Sequence, residues 1–145
     1  MIKINKIYVI NLKHNKNKWK EIQKAFKNTP LKLNRFDAIY GKNLTDEEIK
    51  KVTTNFCYYF CSPGMIGCWL SHYKIWQQII KNNEDNVLIL EDDAYPTENF
   101  NKRLKEILKR RTLFGNQTVV LLTSSGASNS PINRHRNSNC SMIKK

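Results

Sequence analysis

Short apolar runs alternate with longer amphipathic stretches along most of the chain. Three runs have the length of a strand, at residues 7–10, 87–90 and 118–122, and the pattern predicts a fourth strand over residues 31–36. The run at 87–90 is apolar at every position, which is typical of a parallel strand that is buried on both faces. The pattern therefore predicts at least four strands.

Helical spacing of apolar residues marks the segments between these runs. It predicts helices over residues 15–28, 64–81 and 100–111, with Pro30 ending the first. One stripe of the longest helix carries seven large apolar residues: Ile66, Trp69, Leu70, Tyr73, Trp76, Ile79 and Ile80. A capping box at Thr45–Glu48 predicts a further short helix. The aromatic segment 56–63 gives no clear prediction.

The alternation of strands and helices predicts an α/β fold built around a mainly parallel sheet. A chain of 145 residues suits one domain, which we place at residues 1–123. Residues 124–145 are rich in Ser and Asn, and we expect a disordered tail there or the remnant of an interrupted domain. The sequence has neither a spanning apolar segment nor an apolar secretory leader, so we expect a cytoplasmic location.

The net charge of +13 is unevenly distributed. Residues 1–60 carry 13 basic and 5 acidic side chains, residues 61–100 carry 2 and 6, and residues 101–145 carry 10 and 1. A uniformly basic chain would suggest a nucleic-acid partner. An acidic segment between basic flanks instead suggests a divalent cation with anionic ligands. A Lys- and Asn-rich composition set by an AT-rich genome is the alternative source of the excess charge.

The acidic segment holds three consecutive carboxylates, Glu91-Asp92-Asp93, directly after the predicted strand 87–90. The carboxyl ends of parallel strands form the ligand crevice of α/β sheets. Adjacent carboxylates repel unless they share a cation, and oxygen ligands suit Mg²⁺ or Mn²⁺. Such a cation would bridge the protein to a diphosphate. The alternative is a solvated acidic turn.

The start of the longest predicted helix contains Gly64 and Gly67, followed by Ser71 and His72. The glycines permit close backbone approach, and free amides at a helix start favour an anion. His72 is either a base, a metal ligand or a structural residue.

Cys57, Cys61, Cys68 and His72 have the spacing C-x₃-C-x₆-C-x₃-H, which superficially resembles a zinc site. The middle spacing is shorter than in structural zinc fingers, so we favour buried free thiols over zinc. Because no secretion signal is visible, disulfides are not expected.

Four ordered motifs resemble glycosyltransferase family 25, which includes lipopolysaccharide and lipooligosaccharide glycosyltransferases and collagen galactosyltransferase domains. They are YVINL at 8–12 with Lys18-Trp19, RFDAIYGKNL at 35–44, GMIGCWLSHYKIW at 64–76 and LILEDDA at 88–94.

The resemblance implies a GT-A-like, Rossmann-like nucleotide-diphospho-sugar transferase fold that is incomplete at its C-terminus. It implies inverting transfer of a hexose, commonly galactose, from a UDP-sugar to a lipooligosaccharide or lipopolysaccharide glycan. The expected acceptor is a glycolipid or oligosaccharide, the expected cofactor is Mn²⁺ or Mg²⁺, and no nucleic acid is expected. The basic flanks would suit peripheral attachment to the cytoplasmic face of the inner membrane.

The resemblance also implies site residues. Asp93 and Glu91 correspond to metal ligands, with Asp92 beside them at the diphosphate. The expected nucleotide-sugar contacts are Asn11, Lys18, Asp37, Ala38, Gly41, Ser71, His72, Glu91 and Asp92. No residue is assigned as the catalytic base.

Three departures from the family pattern bear on activity. Met65 replaces a usual Glu, and Lys18 replaces a usual Arg, which loses bidentate phosphate geometry. The match also ends near Leu122, so we expect a truncated transferase with most of its donor half and a weakened or absent activity.

Two alternatives remain from the sequence. One is a basic module that binds single-stranded nucleic acid through aromatic residues interleaved with Lys, such as Trp19, Phe26, Tyr58 and Tyr59. The other is an inert fragment that does not fold.

Overall fold

The computed structural model describes residues 4–29, 32–110 and 119–122 of the chain. Its elements follow one another as β1 (Lys6–Asn11), α1 (Lys16–Ala25), β2 (Leu33–Asp37), α2 (Asp46–Val52), α3 (Asn55–Phe60), α4 (Pro63–Lys81), β3 (Val87–Glu91), α5 (Phe100–Arg110) and β4 (Val119–Leu122). A 3₁₀ turn, Gly41–Asn43, precedes α2. The predicted tail at 124–145 and the predicted role of Pro30 lie outside the described residues.

The four strands form one parallel sheet in the order β2-β1-β3-β4. The predicted α/β class with a parallel sheet is confirmed. From β1 the chain crosses to β2 on one side, and from β2 it returns to β3 on the other side of β1. This reversal is a topological switch point, where the carboxyl ends of neighbouring strands open a crevice.

Alternation along the two central strands divides the core between the two faces of the sheet. On one face Ile7, Val9, Leu88 and Leu90 pack with Ile22 of α1, with Phe26 directly after α1 and with Leu104 of α5. On the other face Tyr8, Ile10, Val87 and Ile89 pack with Ile75 and Ile79 of α4. Helices on both faces explain why β3 is apolar at every position from Val87 to Leu90.

Local signals account for where several helices begin. The Thr45 side chain accepts a hydrogen bond from the Glu48 amide, and the Glu48 carboxylate accepts one from the Thr45 amide, so the predicted capping box is confirmed. Helix α4 begins at Pro63 after Ser62, whose hydroxyl accepts from the Met65 amide. Helix α1 already ends at Ala25.

Two features differ from the sequence-based expectation. The segment without a clear prediction contains a short helix, α3, capped by Thr54. The buried residues of α4 are Ile66, Gly67, Ser71, His72, Ile75 and Ile79, whereas Tyr73, Trp76 and Ile80 of the predicted stripe are exposed. Small and polar residues therefore form part of the packed face of α4, which hydropathy alone does not indicate.

Among the described residues, no helix has both the length and the apolar character needed to cross a bilayer.

Candidate functional site

An open cleft of about 280 Å³ lies at the switch point of the sheet. Its walls come from the ends of β1 and β3, the segment after β2 and the first turns of α4. The lining residues are Ile10, Leu12, Asn15, Ala38, Ile39, Tyr40, Gly41, Gly64, Cys68, Ser71, Glu91, Asp92 and Asp93. Six of the sequence-predicted site residues line this cleft, and three of the six, Glu91, Asp92 and Asp93, are carboxylates. The side chains of Asn11 and His72 contact residues that line it.

Asn11 ties the ends of the two central strands together. It is 1% exposed, and its Nδ2 donates to Asp92 Oδ2 at 2.6 Å and to the Asn15 carbonyl at 3.1 Å. The bond fixes one oxygen of Asp92 and leaves the carboxylate lining the cleft. Asp93, the next residue, is exposed in the same cleft. Asn11 thus orients the acidic triplet through its hydrogen bond to Asp92.

Glu91 points toward helix α4. Its Oε1 lies 3.3 Å from Nε2 of His72, and the His72 ring is largely buried. Cys68, one turn earlier on α4, brings its thiol to the same place, and the three ligand atoms lie within 4.8 Å of one another. Burial, followed by the nearby Glu91 carboxylate, raises the pKa of the Cys68 thiol.

The segment from Ala38 to Gly41 is clamped between β1 and α4. The Ala38 amide donates to the Asn11 carbonyl at 3.0 Å, and the Ile39 amide donates to Ser71 Oγ at 2.8 Å. Ser71 is fully buried and donates in turn to the Gly67 carbonyl at 2.7 Å. Ser71 therefore holds the wall of the cleft in place.

Gly41 and Gly67 allow this clamp because they meet backbone to backbone. A Cβ on Gly67 would lie 2.6 Å from both the Gly41 nitrogen and the Ile39 carbonyl oxygen, and a Cβ on Gly41 would overlap the Pro63 carbonyl. The close backbone approach suggested for the glycines of this motif is confirmed for Gly67, where it joins α4 to the segment after β2, but not for Gly64.

Four predicted contacts lie outside the cleft lining: Asn11 and His72, whose side chains contact residues that line it, and Lys18 and Asp37. Lys18 is half-exposed on α1 and pairs with Glu21 at 3.3 Å, and this hydrogen bond raises the pKa of Lys18. Asp37 is exposed at the end of β2, 3.5 Å from Arg35 Nε.

Sequence reasoning missed Asn15 and did not single out Tyr40. Asn15 lines the cleft, caps α1 through its side chain and accepts from Asn11 through its carbonyl. Tyr40 lines the cleft with its ring 5.0 Å from that of His14. The position of Asn15 directly before a helical pattern was the available signal.

Cys57 and Cys61 form a disulfide, so the expectation of free thiols was wrong for this pair. The pair spans one turn at α3, with Cα atoms 4.8 Å apart, a separation that suits a disulfide. The prediction relied on cellular compartment, and the helix that brings the two residues together had not been recognised. Cys68 is free, and the residue is exposed overall although its thiol is partly desolvated, so it is not the fully buried thiol that was expected.

The arrangement offers three kinds of chemistry in one cleft. Asp92 and Asp93 present oxygen ligands for a hard cation. The backbone wall from Ala38 to Gly41, with Tyr40, presents flat and partly apolar surface. Cys68, His72 and Glu91 present a sulfur, a nitrogen and an oxygen atom. A ligand that carries both a diphosphate and a ring system would match the first two.

Comparison with known proteins gives a consistent result. A family model described as glycosyltransferase family 25 (LPS biosynthesis protein) matches residues 4–140. A glycosyltransferase 25 family member of Aedes aegypti is 30% identical over 81% of the chain. Procollagen galactosyltransferase 1-B of Xenopus laevis is 31% identical and human procollagen galactosyltransferase 2 is 26% identical, each over 72% of the chain.

The chain spans about a fifth of the length of these relatives: the matched region is 21% of the Aedes protein and 18% of each procollagen galactosyltransferase.

Proposed function

We propose that this chain, which belongs to glycosyltransferase family 25, binds a UDP-sugar in the switch-point cleft and transfers its hexose to a glycan hydroxyl. Galactose is the proposed sugar, because relatives of the chain are named as galactosyltransferases. The observation that carries the proposal is the anchored carboxylate Asp92, held by Asn11 beside the exposed Asp93, at the carboxyl ends of adjacent parallel strands.

The donor set in the cleft fits a hard divalent cation. Asp93 is exposed, Asp92 has one oxygen fixed by Asn11, and Glu91 has one oxygen turned toward His72 and a second one available. We assign Mn²⁺ or Mg²⁺ to Asp93 and Glu91, with Asp92 beside the diphosphate. Such a cation offsets the negative charge of a diphosphate leaving group.

The remaining nucleotide contacts follow from the shape of the cleft. The wall formed by Ala38, Tyr40 and Gly41 lines the same cleft as the carboxylates and suits the uridine, and Ser71 holds this wall through its bond to the Ile39 amide. Lys18 and Asp37, which lie outside the cleft lining, are proposed to act at its rim. His72 acts next to the donor through Glu91.

The proposed acceptor is a lipooligosaccharide or lipopolysaccharide glycan, and the proposed course is inverting. The chain is proposed to attach peripherally to an anionic membrane through its basic residues. Sedimentation with anionic and neutral vesicles tests this part. Salt-sensitive binding to anionic vesicles alone is expected, and equal binding to both would contradict an electrostatic attachment.

Thermal unfolding of the full chain with UDP-galactose tests donor binding. We expect a rise in Tm that requires Mn²⁺ and disappears in the double variant Asp92→Ala/Asp93→Ala. A double variant at exposed carboxylates outside the cleft, Asp85→Ala/Glu98→Ala, should keep the full shift. If the cleft variant responds to UDP-galactose and Mn²⁺ as the parent does, the assignment of the carboxylates is wrong.

The same assay separates the proposal from a nucleic-acid-binding module. That alternative predicts stabilisation by single-stranded oligonucleotides, loss of this effect at high salt, and no response to UDP-sugars. Non-cooperative unfolding without any ligand would instead favour an inert fragment.

A further inference from the structure

We propose that Cys68, His72 and Glu91 form a transition-metal site, best suited to Zn²⁺, at the side of the cleft that faces α4. The site shares Glu91 with the hard-cation position at Asp93 and adds Cys68 and His72 of α4. It also differs from the C-x₃-C-x₆-C-x₃-H set in the sequence, because the disulfide removes Cys57 and Cys61 as ligands and Glu91 joins from a different element.

The geometry of the three ligand atoms carries the proposal. The Cys68 sulfur, a His72 ring nitrogen and a Glu91 oxygen all lie within 4.8 Å of one another. In a tetrahedral zinc site with bonds of 2.0–2.3 Å, ligand atoms lie about 3.5 Å apart. Closing the triangle around an ion requires these atoms to approach by at most about 1.3 Å, which we expect side-chain rotations to supply.

The fold holds these ligands on regular elements. Cys68 and His72 are four residues apart on α4 and so share one face of the helix. Glu91 is the last residue of β3 and is paired with Ile10 of β1 in the parallel ladder. Ligands placed on a helix and a central strand keep their spacing better than ligands on loops do.

His72 supplies an independent observation. Its ring is largely buried, and Nε2, the ring nitrogen that faces Glu91, has only a long contact of 3.3 Å to that carboxylate. Buried ring nitrogens normally have a close polar partner, because a weakly paired one loses its hydration without full compensation. A bound ion would give this imidazole a strong partner.

The chemical types of the three ligands determine which metal ion the site favours. A thiolate with an imidazole and a carboxylate favours Zn²⁺ over Mg²⁺ or Mn²⁺, which prefer oxygen ligands only. Cys68 and Glu91 both line the open cleft, so an ion can enter from solvent. Three protein ligands leave a fourth position for water or a bound molecule, as in zinc sites that are not purely structural.

Co²⁺ is the probe for this site, because cobalt bound to a thiolate gives a near-ultraviolet charge-transfer band. The full chain is titrated with Co²⁺ after Cys140, which lies outside the described residues, has been replaced by Ser in every sample. We expect the charge-transfer band together with the visible bands of four-coordinate cobalt, and displacement of both by Zn²⁺. Cys68→Ser should abolish the charge-transfer band, and His72→Ala and Glu91→Gln should each weaken binding by about tenfold or more.

Two matched variants separate this site from its neighbours. Asp93→Asn should keep the cobalt spectrum while losing Mn²⁺-dependent binding of UDP-galactose, so failure of the zinc site and failure of the proposed function are distinguishable. Cys57→Ser/Cys61→Ser should also keep the spectrum. A charge-transfer band that survives in Cys68→Ser, or that is lost in Cys57→Ser/Cys61→Ser, would overturn the proposal.

A second measurement needs no ligand variant. Zn²⁺ should protect Cys68 from alkylation by iodoacetamide, as followed by peptide mass mapping of the folded chain. Modification of Cys68 at the same rate with and without Zn²⁺ would contradict the site even if a variant failed to fold.

Discussion

Asn11 is the residue on which the geometry of the cleft depends most. Its amide group donates to Asp92 and to the Asn15 carbonyl, so one buried side chain connects the end of β1 with the turn after β3 and with the start of α1. Both acceptors would lose their donor if this side chain were shortened.

Replacing Asn11 with Ala should therefore lower the free energy of unfolding by about 2–3 kcal/mol, since it removes a hydrogen bond to a charged group and leaves a small cavity. Denaturant unfolding measures this loss. Asn17→Ala, on the exposed side of α1, is the matched control and should change stability by less than about 0.5 kcal/mol. Equal effects of the two variants would show that Asn11 does not hold the strand ends together.

Glu84 gives a prediction about pH. Burial, the largest influence, raises its pKa, but hydrogen bonds from Lys6, Asn82 and the buried Tyr8 hydroxyl together hold the pKa below its ordinary value of 4.5. Because the pKa of Glu84 is lower in the folded state, the ionised Glu84 carboxylate stabilises the fold at pH values above its ordinary pKa. This stabilisation is lost as the pH falls through the folded-state pKa.

Glu84→Gln should thus destabilise the chain by about 1–2 kcal/mol near neutral pH, and the difference from the parent should shrink in acid below the ordinary pKa. Urea unfolding of both proteins across this pH range measures the difference. Glu98→Gln, at an exposed carboxylate, is the control and should follow the parent at every pH. A constant difference between Glu84→Gln and the parent would contradict the lowered pKa.

At the scale of single residues, the acidic triplet could be identified from its position in the sequence, directly after an apolar run. It could not show that Asn11 binds Asp92, because the two residues are 81 positions apart and meet only when β1 and β3 are neighbours. The pairing of His72 with Glu91 depends in the same way on how α4 lies against the sheet.

At the scale of elements, the packing of α4 against the wall of the cleft is the decisive contact. Gly67 meets the backbone of Ile39 and Gly41 with no room for a side chain, whereas Gly64, one turn earlier, has only the Ser62 hydroxyl near it, at 3.9 Å. The two glycines belong to the same motif and the same helix, so they form a natural pair for comparison.

Gly67→Ala should destabilise the chain by about 2 kcal/mol or more, because the added methyl group would displace backbone that cannot move freely. Gly64→Ala should be neutral or stabilise by roughly 0.5 kcal/mol, because it reduces the freedom of the unfolded chain. Thermal and denaturant unfolding of the two variants measures both effects. Equal behaviour would mean that α4 and the wall are not in close contact.

Most strands and the longer helices followed from apolar spacing, since β1, β3, α1, α4 and α5 lie within a few residues of their predicted positions. The buried face of α4 did not follow from apolar spacing. It uses Gly67 and Ser71 to approach the backbone of the segment after β2, while Trp76 and Ile80 stay exposed. Helix α3 was missed because its six residues are mostly aromatic and too short for a periodic pattern.

At the scale of the whole molecule, the uneven charge has a structural meaning. The net charge of +13 comes from basic residues on both sides of the acidic segment, and the acidic segment supplies the three carboxylates of the cleft. Proteins that bind nucleotide diphosphates through a cation need such a local excess of oxygen ligands. The cleft thus takes its carboxylates from the one acidic segment between two basic flanks of the sequence, an arrangement that hydropathy and total charge do not predict.

Calorimetric titration of the full chain with UDP-galactose, with and without Mn²⁺, tests the central claim most directly. We predict saturable binding that requires Mn²⁺, is weakened at least about tenfold in Asp93→Asn, and is unchanged in Asp85→Asn, an exposed carboxylate outside the cleft. Binding that does not need Mn²⁺, or that Asp93→Asn leaves intact, would contradict a cation-assisted donor site at the switch point.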